Sequence, residues 1–178
     1  MKTVLAGVAA ALAFAAASPA LAALKVGDKA PDFSAKAALA GKDFDFKLSK
    51  ALKKGPVVLY FFPAAYTAGC TAEAHEFAEA TPEFEKLGAT VIGVTAGNVD
   101  RIKDFSKEHC RDKFAVAAAD KALVKSYDVA LMVKPDWSNR TSYVIAPDHT
   151  ILMSYTDGNF QGHVTQTMDA VKAYKTKK

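Results

Sequence analysis

The sequence contains few of the residues on which redox and metal sites are usually built. Its 178 residues include only two cysteines, Cys70 and Cys110, which is too few for a disulfide scaffold. There is no Cys-x-x-Cys pair, because Thr67 occupies the first position of the Thr-Ala-Gly-Cys stretch. This argues against a dithiol disulfide reductase. A single static disulfide between the two cysteines remains the alternative to a redox role for them.

Other common site motifs are also missing. No glycine-rich phosphate loop, internal repeat or interdomain linker is visible. The histidines have no metal-ligand spacing, and no His-x-x-x-His pair falls on a predicted helix, so we expect no metal site. The histidines are His75, His109, His149 and His163.

The first residues have the pattern of a secretory signal peptide. A short positive start with Lys2 precedes an apolar run from Val4 to Ala17, and a small-residue site ends at Ala22. This pattern predicts cleavage after Ala22 and export, to the periplasm or otherwise outside the cytoplasm. The apolar run is too short to span a bilayer comfortably, since about 20 residues are needed, which disfavours a membrane anchor.

The remaining chain, residues 23–178, has the length of a single domain. Its net charge falls from +4 to +3 when Lys2 is removed, and its charges are mostly interspersed. The basic stretch 172–178 fits a solvated helix end better than a nucleic-acid site in an exported protein. No second apolar segment is long enough for a membrane span, so we expect no stable membrane association.

Alternating strand and helix patterns predict an α/β protein with a central mixed sheet flanked by helices. Residues 24–33 read as a turn-rich entry segment. Ser49, and Asn98 or Asp100, are predicted helix caps. Strands are predicted near 44–48, 57–62, 90–95, 114–118, 142–146 and 151–155, the last two as a hairpin across 147–150. Helices are predicted near 49–53, 69–87, 98–109, 120–127 and 163–175, and Asp120 opens the fourth of them.

The most informative stretch of the sequence runs from Val57 to Phe84. It reads as a buried strand, a turn with Pro63 and Thr67, and a helix that begins at or just before Cys70. A cysteine at a helix N-terminus lies in the field of unpaired backbone N–H groups, which favours the thiolate. Cys70 is therefore the predicted nucleophile or redox centre.

These residues carry a resemblance to a known family. Residues 63–70 fit the Pro-x-x-x-Thr-x-x-Cys motif of the peroxiredoxins, and the extended stretch 67–74 is most similar to the PrxQ group, also called the bacterioferritin comigratory protein group. Further matches at 26–33 and 140–145 extend the resemblance over essentially the whole chain after residue 22. It implies a thioredoxin-like fold and reduction of hydrogen peroxide or organic hydroperoxides without a cofactor.

The resemblance also implies roles for particular residues. Cys70 would be the peroxidatic nucleophile and end as a sulfenic acid. Thr67 would accept from the peroxide and donate toward sulfur, Pro63 would shield the pocket from water, and Arg140 would hold the thiolate and polarise the peroxide. Glu73, one turn beyond Cys70, is suited to orient Arg140 by a bidentate pair, and the Cys70 backbone N–H is a further donor.

Each role has a plainer alternative. Pro63 and Thr67 are also ordinary turn and cap residues, Arg140 could be a solvated side chain, and Glu73 a first-turn carboxylate. Three aromatic residues could line the pocket, but core or loop packing is the simpler role for them: Tyr60, Phe62 and Trp137.

The sequence departs from the group where many members carry a resolving cysteine, five positions after the first. That position is His75, and the common proline before Gly-Cys is Ala68. Some relatives place the resolving cysteine where Cys110 lies, so a reversible Cys70–Cys110 disulfide is predicted. A one-cysteine cycle with an external thiol remains open.

The resemblance favours a monomer, and export favours a secreted thioredoxin-like protein or a small thiol as reductant. A non-enzymatic alternative is an exported peroxide sensor or binding protein that relays oxidation from Cys70 to a partner.

Overall fold

The computed structural model describes residues 23–177, so the predicted signal peptide lies outside the described residues. A seven-stranded mixed sheet has the order β2-β1-β5-β4-β3-β8-β9, and β6 and β7 form a separate antiparallel pair. The strands are β1 Ser34–Leu39, β2 Lys42–Lys47, β3 Val57–Phe61, β4 Thr90–Thr95, β5 Ala115–Ala118, β6 Ala130–Leu131, β7 Lys134–Ser138, β8 Thr141–Ile145 and β9 Ile151–Thr156. The helices are α1 Leu48–Leu52, α2 Ala68–Lys86, α3 Ile102–Glu108, α4 Lys121–Ser126 and α5 His163–Thr176.

Strand β3 lies at the centre of the sheet and all five of its residues are buried. It is parallel to β4 and antiparallel to β8. Because side chains alternate along a strand, β3 contributes to two separate cores. Val57, Leu59 and Phe61 pack on the face covered by α1 and α4, whereas Val58 and Tyr60 pack on the face covered by α2, α3 and α5.

The predicted α/β class and mixed central sheet are confirmed, as is the β8–β9 hairpin. Asp120 caps α4 as predicted, with its carboxylate accepting from the Leu123 backbone N–H at 2.8 Å. The predicted helix at Cys70 begins at Ala68 and contains Pro82. Among the described residues, no helix is long and apolar enough to cross a membrane.

Two cap predictions are wrong. Ser49 lies inside α1, whose N-cap is Lys47, and its backbone N–H instead donates to Asp32 at 2.8 Å. Neither Asn98 nor Asp100 caps α3, because a 3₁₀ turn over 99–101 precedes that helix. The Asn98 amide donates across the molecule to the Ala65 carbonyl at 2.8 Å, a contact that local sequence does not encode.

Three strands were not predicted from the sequence. β1 is an alanine-rich segment with little alternation of apolar and polar residues, and it is recognised only by its pairing with β2 and β5. The β6–β7 pair is short and only partly buried, and it contains Pro135, a residue that sheets tolerate mainly in edge strands.

Candidate active site

The site forms where the end of β3 meets the start of β8. The antiparallel register pairs Phe61 with Thr141, so Arg140 lies beside the turn that leads from β3 into α2. This register brings Cys70 and Arg140 together although they are 70 positions apart. The Cys70–Arg140 contact therefore depends on the register of β3 with β8 and on the short loop after β3, and not on proximity in the sequence.

Cys70 lies in the first turn of α2. The helix begins at Ala68, with Thr67 as an N-cap in extended backbone geometry, and its first backbone bond runs from Thr71 N–H to the Thr67 carbonyl at 2.9 Å. The N–H groups of the first turn have no partner within the helix, so the turn presents donors around the Cys70 sulfur. The Cys70 side chain is 1% exposed and not disulfide-bonded.

Arg140 connects the sulfur to two further elements. One terminal nitrogen lies 3.5 Å from Cys70 Sγ, the other donates to a Glu73 carboxylate oxygen, and Nε donates to the Gly158 carbonyl at 3.1 Å. Burial alone would lower the pKa of Arg140, but the nearby Glu73 and Cys70 outweigh it and raise that pKa. A fixed, charged guanidinium therefore faces the sulfur.

Glu73 is fully buried and pairs with Arg140. Burial raises the pKa of Glu73 to about 8, although the charge and hydrogen bond of Arg140 act in the opposite direction. Only one oxygen accepts from Arg140, so the predicted bidentate pair is wrong. The second oxygen has no hydrogen-bond partner among the described residues and lies 3.8 Å from His163 Nδ1. The Glu73 carboxyl group, carried by α2, thus holds the Arg140 guanidinium in position.

This pKa shift leads to a prediction about stability. Because the folded-state pKa of Glu73 lies above its ordinary value of 4.5, its stabilising contribution is complete below about pH 4.5 and is lost as pH rises through about 8. Between these limits the unfolding free energy of the wild type should fall relative to that of Glu73→Gln, by about 1.4 kcal/mol per pH unit at most. Urea unfolding of both proteins from pH 4.5 to 8.5 measures the difference, and parallel profiles would contradict it.

Thr67 and Pro63 flank the entrance to the site. Thr67 is exposed, and its hydroxyl donates to the Ala64 carbonyl at 3.1 Å, leaving its lone pairs for an incoming donor. The expected donation from Thr67 toward sulfur is not the bond found here. Pro63 is half-buried, and its carbonyl accepts from the Thr95 hydroxyl at 3.2 Å.

Cys110 lies just beyond α3 and is fully buried. Burial raises the pKa of Cys110 well above its ordinary value, so the resting group is a thiol. Its backbone N–H donates to the Phe105 carbonyl at 3.1 Å, and its carbonyl accepts from Lys113 at 2.9 Å. Both cysteines border the same core cluster as Tyr60, but they are not bonded to each other.

The three aromatic side chains that could have lined the pocket all pack against neighbouring side chains. Tyr60 is fully buried and stacks on Phe77 with ring centroids 4.2 Å apart; its hydroxyl has no partner among residues 23–177. Phe62 stacks on Phe105. Trp137 is half-buried and lies under the Lys134 ammonium group.

Sequence reasoning missed two contributors to the site. Gly158 supplies the carbonyl that holds Arg140 Nε, and buried His163 borders Glu73 while its Nδ1 contacts the Ser142 hydroxyl at 2.8 Å. Both depend on where β9 and α5 lie, for which no local sequence signal exists. The described part of the chain contains no cluster of three or more His, Cys, Asp or Glu side chains suited to a metal ion.

Comparisons with known proteins identify the family of this chain. The AhpC/TSA family model matches residues 26–154. Peroxiredoxin Bcp of Xanthomonas campestris is 28% identical over 127 residues, covering 66% of this chain and 77% of its own length. Peroxiredoxin Bcp of Bacillus subtilis is 24% identical over 155 residues, covering 84% and 96%. The crystal structure of peroxidoxin BcpB from Mycobacterium tuberculosis superposes with a TM-score of 0.75 at 28% identity, covering 84% of this chain and 97% of that one.

Proposed function

This chain belongs to the AhpC/TSA family as a thioredoxin-fold peroxiredoxin of the PrxQ/Bcp group, and from that premise we propose how it works as a thiol peroxidase. The observation that carries the proposal is the contact between Arg140 and the Cys70 sulfur at the first turn of α2. A thiol-dependent peroxidase needs a nucleophilic sulfur held by fixed positive charge, together with donors for the oxygen that leaves.

In the first step the Cys70 thiolate attacks one peroxide oxygen. The S–O bond forms as the O–O bond breaks, the second oxygen leaves as hydroxide or alkoxide and takes up a proton, and Cys70 becomes a sulfenic acid. Arg140 and the first-turn N–H groups stabilise the charge that develops on the oxygens. Thr67 accepts a hydrogen bond from the peroxide, and Pro63 keeps water from the sulfur.

In the second step Cys110 resolves the sulfenic acid. The Cys110 sulfur attacks the Cys70 sulfur, the S–S bond forms as the S–O bond breaks, and the departing hydroxide leaves as water with the Cys110 proton. Because both thiols are buried and unbonded, this step requires the end of α3, the start of α2, or both to open locally. A thioredoxin-like dithiol then reduces the disulfide.

The setting of this cycle is also part of the proposal. The pattern of residues 1–22 supports export, to the periplasm or otherwise outside the cytoplasm. An exported peroxidase would be reduced by a secreted thioredoxin-like protein or a small thiol, would act as a monomer and would defend the compartment against hydrogen and organic peroxides. Fractionation of the producing cell checks the location, and retention of the unprocessed chain in the cytoplasm would contradict it.

Turnover tests the peroxidase activity. The reduced protein with a recycled dithiol reductant should consume many equivalents of hydrogen peroxide or cumene hydroperoxide. A sensor would consume about one equivalent and then stop until a partner accepted its oxidation.

Intact mass tests the resolving step. After one equivalent of peroxide without reductant, the wild type should lose two hydrogens as the disulfide forms, whereas Cys110→Ser should gain one oxygen or a trapped sulfenic-acid adduct. A stable added oxygen on the wild type would contradict the role of Cys110 and support the one-cysteine cycle, while leaving the peroxide step intact.

A further inference from the structure

Two histidines connect α2, which carries Cys70, to the end of α3, which directly precedes Cys110. His75 lies on α2, one turn and a half beyond Cys70, and His109 ends α3 directly before Cys110. His75 Nε2 and His109 Nδ1 are 3.2 Å apart, and the ring centroids are 5.3 Å apart. At this distance the two nitrogens share one proton, so one ring donates and the other accepts.

Further contacts reinforce this connection. The Tyr66 hydroxyl donates to Glu108 at 2.9 Å, and the Tyr66 ring packs edge-on against His109 at 5.1 Å. Arg111 donates to Glu79 on α2 at 3.1 Å. The loop before Cys70 and the helix after it are thus both tied to the residues around Cys110.

The backbone at both ends of this contact is in the left-handed region. Tyr66 has a φ of 65°, and Arg111 and Asp112 have φ values of 50° and 59°. Residues other than glycine adopt this region at a cost and stay there when surrounding contacts hold them. Segments of this kind next to the two cysteines are suited to open when those contacts are lost.

We propose that the His75–His109 pair is a positioning device that holds Cys110 away from Cys70 and so sets the rate of the resolving step. While the rings share a proton, α2 and the end of α3 stay together and Cys110 stays buried. When both rings are protonated, both nitrogens become donors, the bond is lost and two like charges face each other. Acidification then releases the Cys110 segment. The inference rests on the proposed resolving role of Cys110.

Burial and neighbouring charges determine that the His75–His109 contact is lost at acidic and not at basic pH. Burial, the charge of Arg111 and the neighbouring His109 lower the pKa of His75, against a smaller opposing effect of Glu79. Glu108, at the end of α3, bonds to Tyr66, and Arg101 lies over the Tyr66 ring at 3.6 Å. The pair is therefore held at neutral pH and released on the acidic side.

The test compares resolution rates in wild type and His75→Phe, which keeps an aromatic ring but neither bonds nor titrates. Reduced protein receives one equivalent of hydrogen peroxide, is quenched with an alkylating agent at successive times from pH 5 to 8, and the disulfide fraction is read by intact mass. Loss of one hydrogen bond should make His75→Phe resolve about 3- to 10-fold faster than wild type at pH 8. The ratio should fall toward 1 or below as the pH is lowered, because the wild type loses its bond while His75→Phe has none to lose.

The ratio of the two resolution rates reports on the histidine pair alone, because any effect of pH on the Cys110 thiol is the same in both proteins. His75→Gln, whose amide can bond to His109 without titrating, should resolve as slowly as the neutral wild type at every pH. His149→Asn, in the distant β8–β9 turn, is the matched control and should follow the wild type. The bimolecular peroxide step should change less than 2-fold in all of them.

Three results would overturn the inference. A ratio that stays constant with pH means that His75→Phe only loosens the packing, and a ratio of 1 throughout means that the pair does not limit resolution; both leave the resolving role of Cys110 standing. A wild type that forms no disulfide overturns both the resolving role and this inference. Continued peroxide consumption in that case would show that the peroxidase activity itself is unaffected.

Discussion

Replacing Cys70 with serine should abolish peroxide consumption. A serine hydroxyl at this position stays protonated and is a poor nucleophile toward the O–O bond, so the fixed charge of Arg140 has no thiolate to hold. We expect the second-order rate with hydrogen peroxide to fall by at least about 10⁴-fold, to the rate of the uncatalysed reaction with an ordinary side chain. Stopped-flow peroxide consumption measures the rate.

The matched control is Cys110→Ser, which keeps Cys70 and its surroundings. In a single turnover it should consume one equivalent of peroxide at the wild-type rate. Substantial peroxide consumption by Cys70→Ser would contradict the mechanism and direct attention to Cys110 as the reacting thiol.

Replacing Arg140 with methionine should produce the second largest loss. The change removes the donor 3.5 Å from the Cys70 sulfur while keeping an unbranched side chain. Removing one preorganised donor from a charge-stabilising site typically costs about 10²- to 10³-fold in rate. The bimolecular rate with hydrogen peroxide should fall by that factor, and a loss below 10-fold would mean that Arg140 is a structural residue only.

Stability must be separated from catalysis in this experiment, because Arg140→Met leaves Glu73 buried without its partner. At neutral pH the raised pKa of Glu73, about 8, leaves its carboxyl group mostly protonated, so the cost is that of a buried polar group without its hydrogen bond, typically about 1–3 kcal/mol. The double variant Arg140→Met/Glu73→Leu replaces the remaining carboxyl group with an apolar side chain. It should regain much of the unfolding free energy without regaining the peroxide rate.

Much of the site could be predicted from the sequence because its parts are local. The strand from Val57, the turn with Pro63 and Thr67, and the helix start at Cys70 are adjacent in the chain, and the periodicity and spacing of these residues predict each element. The β8–β9 hairpin was predicted for the same reason. Cap assignments failed where the polar group bonds to a distant element, as Asn98 does with Ala65.

By itself, the sequence determined the position of Cys70 at a helix N-terminus and the strand–turn–helix unit around it, since these follow from hydrophobic period and motif spacing over neighbouring residues. The tertiary structure decided how the contacts around the sulfur are made. The β3–β8 register brings Arg140 to Cys70, the segment after β9 supplies the Gly158 carbonyl, and α5 brings His163 to Glu73. It also decided the contact of His75 with His109, because strand pairing and helix packing join residues whose separation along the chain leaves no local pattern.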